Sequence, residues 1–127
     1  MRLIIGGEAQ GKLDFAVENY SIKTDEIANG EELDIYETEN FRCINSFHLF
    51  VKKLLENGKN PVDFTKEILK KNPDVIIIMN EIGSGIIPIE KSERVWREYV
   101  GRVGCFLAER AETVDRIICG IVIRIKG

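Results

Sequence analysis

The residues Gly6-Gly7-Glu8-Ala9-Gln10-Gly11-Lys12-Leu13 have the types and the spacing to hold a phosphate group. Gly6 and Gly11 bracket four residues and Lys12 follows at once, which fits the phosphate-binding loop pattern up to its last position. Such a loop wraps backbone N–H groups around a nucleotide's phosphates. Glycine serves where the backbone approaches the ligand closely or takes unusual dihedrals. A helix that begins at Lys12 aims the positive end of its dipole at the same phosphates, and the lysine ammonium adds a point charge for the terminal ones. The last position of the pattern calls for a Ser or Thr hydroxyl on Mg²⁺, and this chain has Leu13 there. The expected ligand is a nucleoside triphosphate, ATP or GTP, with Mg²⁺ weakly held. The plainer alternative is a strand–turn–helix whose glycines only permit a tight turn. The apolar run before the loop and the helical spacing after it favour phosphate.

A second group with chemical potential ends the apolar run Val75-Ile76-Ile77-Ile78-Met79, where Asn80 and Glu81 precede Gly83 and Gly85. Open α/β sheets gather ligands outside the carboxyl ends of their strands. Glu81 is placed there to hold Mg²⁺, directly or through water, or to take a proton from an attacking hydroxyl. The alternative is a carboxylate that caps nearby N–H groups. Among Arg94, Arg97 and Arg102, all candidates for phosphate contacts, Arg102 stands out because it lies between Gly101 and Gly104. Arginines in such patterns are commonly just solvated. His48, the single histidine, falls just off an apolar helical stripe and reads as a boundary residue rather than a catalyst. The three cysteines, Cys43, Cys105 and Cys119, lack metal-type spacing. Cys105 and Cys119 lie in apolar patterns and read as buried thiols.

These groups need elements to position them. With 127 residues, the chain has the length of one domain, taken as 1–127. Its net charge of -3 and the lack of a basic stripe argue against nucleic acid as the main partner. No apolar run approaches a membrane span and no signal-peptide pattern opens the chain, so it reads as cytoplasmic and without a membrane partner. Residues 2–5, continuously apolar after Arg2, read as a strand buried on both faces. Residues 12–20 read as a helix on Leu13, Ala16 and Val17. Residues 21–42 are polar and poorly periodic, with a turn at Asn29-Gly30 and a short strand expected over 33–36. A helix is expected over 44–57, with the stripe Phe47, Phe50, Val51, Leu54 and Leu55, capped by Asn45 or Ser46 and ended by Gly58. Pro61 opens another helix. Residues 75–79 read as a central parallel strand. Residues 90–111 read as a long helix with Val95, Trp96, Tyr99, Val100, Val103, Phe106 and Leu107 on its buried face. Gly101 and Gly104 within it suggest close packing against another element. Residues 114–119 and 121–125 close the sheet as two strands or one bent strand.

The stretch Asn80-Glu81-Ile82-Gly83-Ser84-Gly85-Ile86-Ile87-Pro88, then Gly101-Arg102-Val103, Cys119-Gly120-Ile121 and Ile125-Lys126-Gly127, resembles the bifunctional adenosylcobinamide kinase / adenosylcobinamide-phosphate guanylyltransferase family. The opening Ile4-Ile5-Gly6-Gly7 through Gly11-Lys12 is similar to that family's loop, and Cys43-Ile44 is similar to its helix start. The resemblance implies an α/β, three-layer, P-loop NTPase-like (RecA-like) fold with a mostly parallel central sheet. It implies phosphorylation of a corrinoid hydroxyl by a nucleoside triphosphate, then transfer of GMP from GTP through a guanylylated histidine. It also implies a homo-oligomer, typically trimeric. Leu13 departs from the family's hydroxyl residue. The family's histidine-bearing segment has no clear counterpart, and its nucleophile role is not carried to His48. Two functions compete: a kinase of the corrinoid pathway using Lys12 and Glu81, and a nucleotide- or corrinoid-binding module that kept the loop and lost the chemistry.

Overall fold

A computed structural model describes residues 1–82 and 90–127. In chain order its main elements are β1 (Arg2–Gly6), α1 (Lys12–Tyr20), β2 (Ile27–Asn29), β3 (Cys43–Asn45), α2 (Phe47–Glu56), α3 (Pro61–Lys71), β4 (Ile76–Asn80), α4 (Lys91–Arg110), β5 (Thr113–Ile118) and β6 (Ile121–Lys126). Among the described residues, six strands form one sheet in the order β2-β3-β4-β1-β5-β6. Every neighbouring pair is parallel except β5 and β6, which form an antiparallel hairpin. β1 therefore lies between β4 and β5, with Gly6 opposite both Asn80 and Ile117.

Strand alternation divides the core into two layers. Ile4, Ile76, Ile78 and Ile117 pack with Ala16 of α1 on one face. Leu3, Ile77, Met79 and Val114 pack with Phe47, Phe50, Val51 and Leu54 of α2, Ile68 of α3, and Val100, Val103 and Leu107 of α4 on the other. The α/β, mostly parallel three-layer architecture is the expected one. Asn60 caps α3 by accepting from the Val62 and Asp63 N–H groups at 3.0 and 3.1 Å. Among the described residues no helix is long and apolar enough to cross a membrane.

Four expectations change. Residues 33–36 form turns, and the strand lies earlier, at Ile27–Asn29. Leu33 and Ile35 are buried while Asp34 and Tyr36 are exposed, so their burial alternates like a strand's. Local bonds prevent pairing: the Asn29 Oδ1 accepts from the Glu31 N–H at 2.9 Å and the Asp34 Oδ1 from the Tyr36 N–H at 2.8 Å. The helix expected from residue 44 starts only at Phe47, because Cys43 and Ile44 pair in parallel with both β2 and β4. Ser46, at a φ of 57°, turns the chain from strand to helix without a side-chain cap.

Among the described residues nothing packs closely on Gly101 or Gly104; a Cβ at either would meet none of their atoms within 4 Å. Cys105 and Cys119 are exposed, and Cys43 is the buried thiol. Cys105 lies beside the apolar stripe of α4 rather than on it, and Cys119 occupies a turn. Val95, Trp96 and Tyr99 are half-buried, while Val100, Val103, Phe106 and Leu107 are buried as the α4 pattern requires.

Candidate functional site

The site begins where β1 stops. A Cβ on Gly6 would lie 2.5 Å from the Ile117 carbonyl oxygen of β5, so only glycine lets β1 pair there and turn. The loop then needs left-handed backbone at Ala9 (φ 55°) and Gly11 (φ 94°) before α1 starts at Lys12. Gln10 is held from across the sheet: its side-chain Oε1 accepts from the Cys119 N–H at 2.7 Å and its carbonyl from the Gly120 N–H at 3.0 Å. Cys119 and Gly120 (φ 50° and 77°) form the tight β5–β6 turn that presents those donors.

Glu8, Ala9, Gln10, Gly11, Lys12, Leu13 and Asp14 line a cavity of about 280 Å³. Its other wall is Asn45 at the end of β3, Ser46 after it, His48 and Leu49 on α2, and Asn80 at the end of β4. It opens at the carboxyl ends of parallel strands, where this class of sheet collects ligands. Lys12 is 8% exposed, and its Nζ folds back to donate to the Gly7 carbonyl at 2.5 Å. Burial lowers its pKa, while Glu8 and Glu81 pull it upward. The ammonium is thus spent on the loop's own backbone, and its hydrogen bonds among the described residues include no anionic partner.

Glu81 and Arg102 do not line this cavity. The Glu81 N–H donates to the Gly6 carbonyl at 2.9 Å, which ties its backbone to the loop. Its carboxylate turns to Arg116 of β5, which donates from Nε to Oε1 at 2.7 Å and from Nη2 to Oε2 at 2.9 Å. Alternation explains the split: Asn80 continues the α1 side of β4 with Ile78, and Glu81 follows Met79 toward α4. Arg102 is exposed on α4, bonded to Glu98 at 2.7 Å and stacked 5.5 Å from the Tyr99 ring centre. The glycines at 83 and 85, expected to keep backbone near a ligand, lie outside the described residues.

His48 belongs to the site although its sequence setting pointed to a boundary. Its Nδ1 accepts the Asn80 N–H at 3.0 Å, and its carbonyl accepts the Trp96 indole N–H of α4 at 2.7 Å. From the sequence Asn45 and Ser46 read only as helix caps, and Arg116 was not singled out. The only local signal for the first two was their place just before a helix.

The two positions expected to hold Mg²⁺ offer it no free oxygen set among the described residues. Leu13 offers no oxygen, the Glu81 carboxylate is taken by Arg116, and no cluster of three or more His, Cys, Asp or Glu suited to a metal occurs among the described residues.

The model of the family described as cobinamide kinase / cobinamide phosphate guanyltransferase matches residues 29–125. Two relatives are the bifunctional adenosylcobalamin biosynthesis proteins of Salmonella typhimurium and Escherichia coli, each 38% identical over 52 residues. Those alignments cover 41% of this chain and only 29% of each relative.

Proposed function

The chain belongs to the cobinamide kinase / cobinamide phosphate guanyltransferase family, and from that premise we propose that it binds a nucleoside triphosphate, ATP or GTP, with its phosphates in the cavity at Gly6–Leu13. The observation that carries this reading is the buried Lys12 ammonium, held by a loop with left-handed turns at Ala9 and Gly11 at the end of a central parallel strand. Loop amides and the α1 N-terminus supply donors, and Lys12 supplies charge. The phosphoryl acceptor is a corrinoid hydroxyl, as the family name implies. In that role the Arg116 pair holds the Glu81 carboxylate in its charged form and so makes it a weaker base, while each oxygen keeps a further lone pair for a proton.

A second reading is a binding module of the same pathway that holds nucleotide or corrinoid without turnover. Leu13 and the engaged Glu81 favour it. Titration with ATP and GTP tests binding, and transfer of the γ-phosphate to cobinamide separates the two readings. Binding with transfer supports the kinase; binding without transfer supports the module; no binding of either nucleotide rejects the kinase and any nucleotide-holding module, and no binding of cobinamide either rejects the module altogether.

We also take the working form to be a homo-oligomer. In β6, Ile121, Ile123 and Ile125 are 66, 47 and 57% exposed on an edge strand, an arrangement that monomers usually avoid. Light scattering on the purified chain gives the mass directly.

A further inference from the structure

We propose that His48 is a phosphate-binding residue whose Nε2–H donates a hydrogen bond to a phosphate oxygen of the ligand in the loop cavity. The inference rests on the phosphate-loop reading above and adds to it a donor from outside the loop, on α2.

The Asn80 backbone fixes the chemistry of the ring. A peptide N–H only donates, so the His48 Nδ1 that meets it at 3.0 Å must present a lone pair. A neutral imidazole then carries its proton on Nε2. The ring is only 7% exposed and lines the same cavity as Lys12. Among the described residues Nε2 makes no hydrogen bond and is not one of the buried unpartnered atoms, so this donor is open to the cavity that His48 lines.

Charge points to the same ligand chemistry. Burial lowers the His48 pKa first, the Lys12 ammonium lowers it further, and Glu8 opposes them weakly. The ring is therefore neutral near pH 7, and it can sit near Lys12 without cationic repulsion. Lys12 and the loop amides are donors as well. A ligand that meets a cation, backbone N–H groups and an imidazole N–H together must present acceptors on several sides, as a phosphate chain does.

The single histidine makes the test direct: ¹⁵N-histidine NMR gives one imidazole. In the free protein Nδ1 is expected to be unprotonated and Nε2 protonated. Saturating inorganic tripolyphosphate should move the Nε2 resonance, and adenosine or guanosine alone should not. His48→Asn keeps an oxygen that can accept the Asn80 N–H and removes the ε donor. It should weaken tripolyphosphate binding roughly tenfold or more, and His48→Gln, with an amide N–H near the ε position, should recover part of the loss. A proton on Nδ1, an Nε2 signal that tripolyphosphate leaves in place, or an Asn variant that binds like the wild type overturns the inference. If Lys12→Ala loses binding while His48 reports nothing, the phosphate-loop reading stands and this one falls. If the wild type binds no tripolyphosphate, both fall.

Discussion

Arg116 grips Glu81 through two parallel hydrogen bonds, Nε to Oε1 at 2.7 Å and Nη2 to Oε2 at 2.9 Å. The pair raises the arginine's pKa, the hydrogen bond to Glu81 being the larger cause and its charge the next. Both side chains are partly exposed, 44 and 33%, so water screens the pair and its weight in folding is small. In the proposed kinase role the pair restrains the acid at the end of β4. Arg116→Met is expected to leave the melting temperature nearly unchanged while making nucleotide binding more sensitive to Mg²⁺. Titrations with and without a chelator check this, and an unchanged Mg²⁺ response would show that Arg116 does not restrain Glu81.

Leu13 gives a companion prediction. It stands where a hydroxyl would hold Mg²⁺, so wild-type nucleotide affinity should change little when the metal is chelated. Leu13→Ser should enlarge the effect. A collapse of wild-type binding on chelation would mean that other groups hold the metal.

Lys12→Ala should weaken nucleotide binding by about 1.5–3 kcal/mol, the scale of a hydrogen bond to a charged group, or about ten- to over a hundredfold. The folded chain should survive the change, since the bond lost is one to the Gly7 carbonyl of the same loop. Calorimetry giving equal affinities in the two forms would remove the loop from the phosphate site.

The parts of this molecule that were legible in the sequence are those with a local cause. Helix α1 runs from Lys12 to Tyr20 as its spacing requires, and β4 is the apolar run it reads as. Residues 21–46 failed because alternating burial at Leu33 and Ile35 imitates a strand, while the pairing of Cys43 and Ile44 depends on partners far along the chain. The site divides in the same way. The loop is a contiguous pattern. The contacts of His48 with Asn80, Arg116 with Glu81, and Gln10 with the Cys119-Gly120 turn span 32, 35 and up to 110 residues, the last from 10 to 120, and only the sheet order brings them together.

Cysteine reactivity offers a check on the corrected burial. Burial pushes the Cys43 thiol up to about 12, and Cys105 and Cys119 are exposed. Two of the three thiols should react with a maleimide under native conditions and all three in denaturant. Rapid native labelling of Cys43 would contradict the pairing of β3.

His48 also predicts how stability varies with pH. Its pKa in the fold lies below the ordinary 6.5, so the unfolded chain binds the proton more readily. Above that value both states are neutral and stability is full. Below it stability falls with pH, at most by about 1.4 kcal/mol per unit, until the folded ring also titrates. Glu26, whose pKa is lowered first by the Lys23 backbone N–H, adds its own loss only in more acidic solution. Melting temperatures between pH 7.5 and 5.5 should therefore drop in the wild type and drop less in His48→Asn. Parallel curves would show that the ring is not held neutral.

The last prediction concerns covalent guanylyl transfer. A histidine nucleophile attacks phosphorus through an unprotonated ring nitrogen. In His48 that nitrogen is Nδ1, and its lone pair is already committed to the Asn80 N–H at 3.0 Å. Nε2 then carries the proton, which makes it a donor and not a nucleophile. Attack from Nε2 would require the proton to move to Nδ1, directly against the Asn80 N–H, and would break that bond. On the helix Lys52 lies 5.3 Å over the Trp96 ring, which leaves Lys12, among the described residues, as the cation acting on His48. We therefore expect no guanylylated intermediate on this histidine. The chain would be incubated with GTP labelled on the α-phosphate, quenched, denatured and weighed intact. An unchanged mass is the expected result. An acid-labile adduct of one GMP that vanishes in His48→Asn would overturn it and restore a histidine-dependent transfer to this chain.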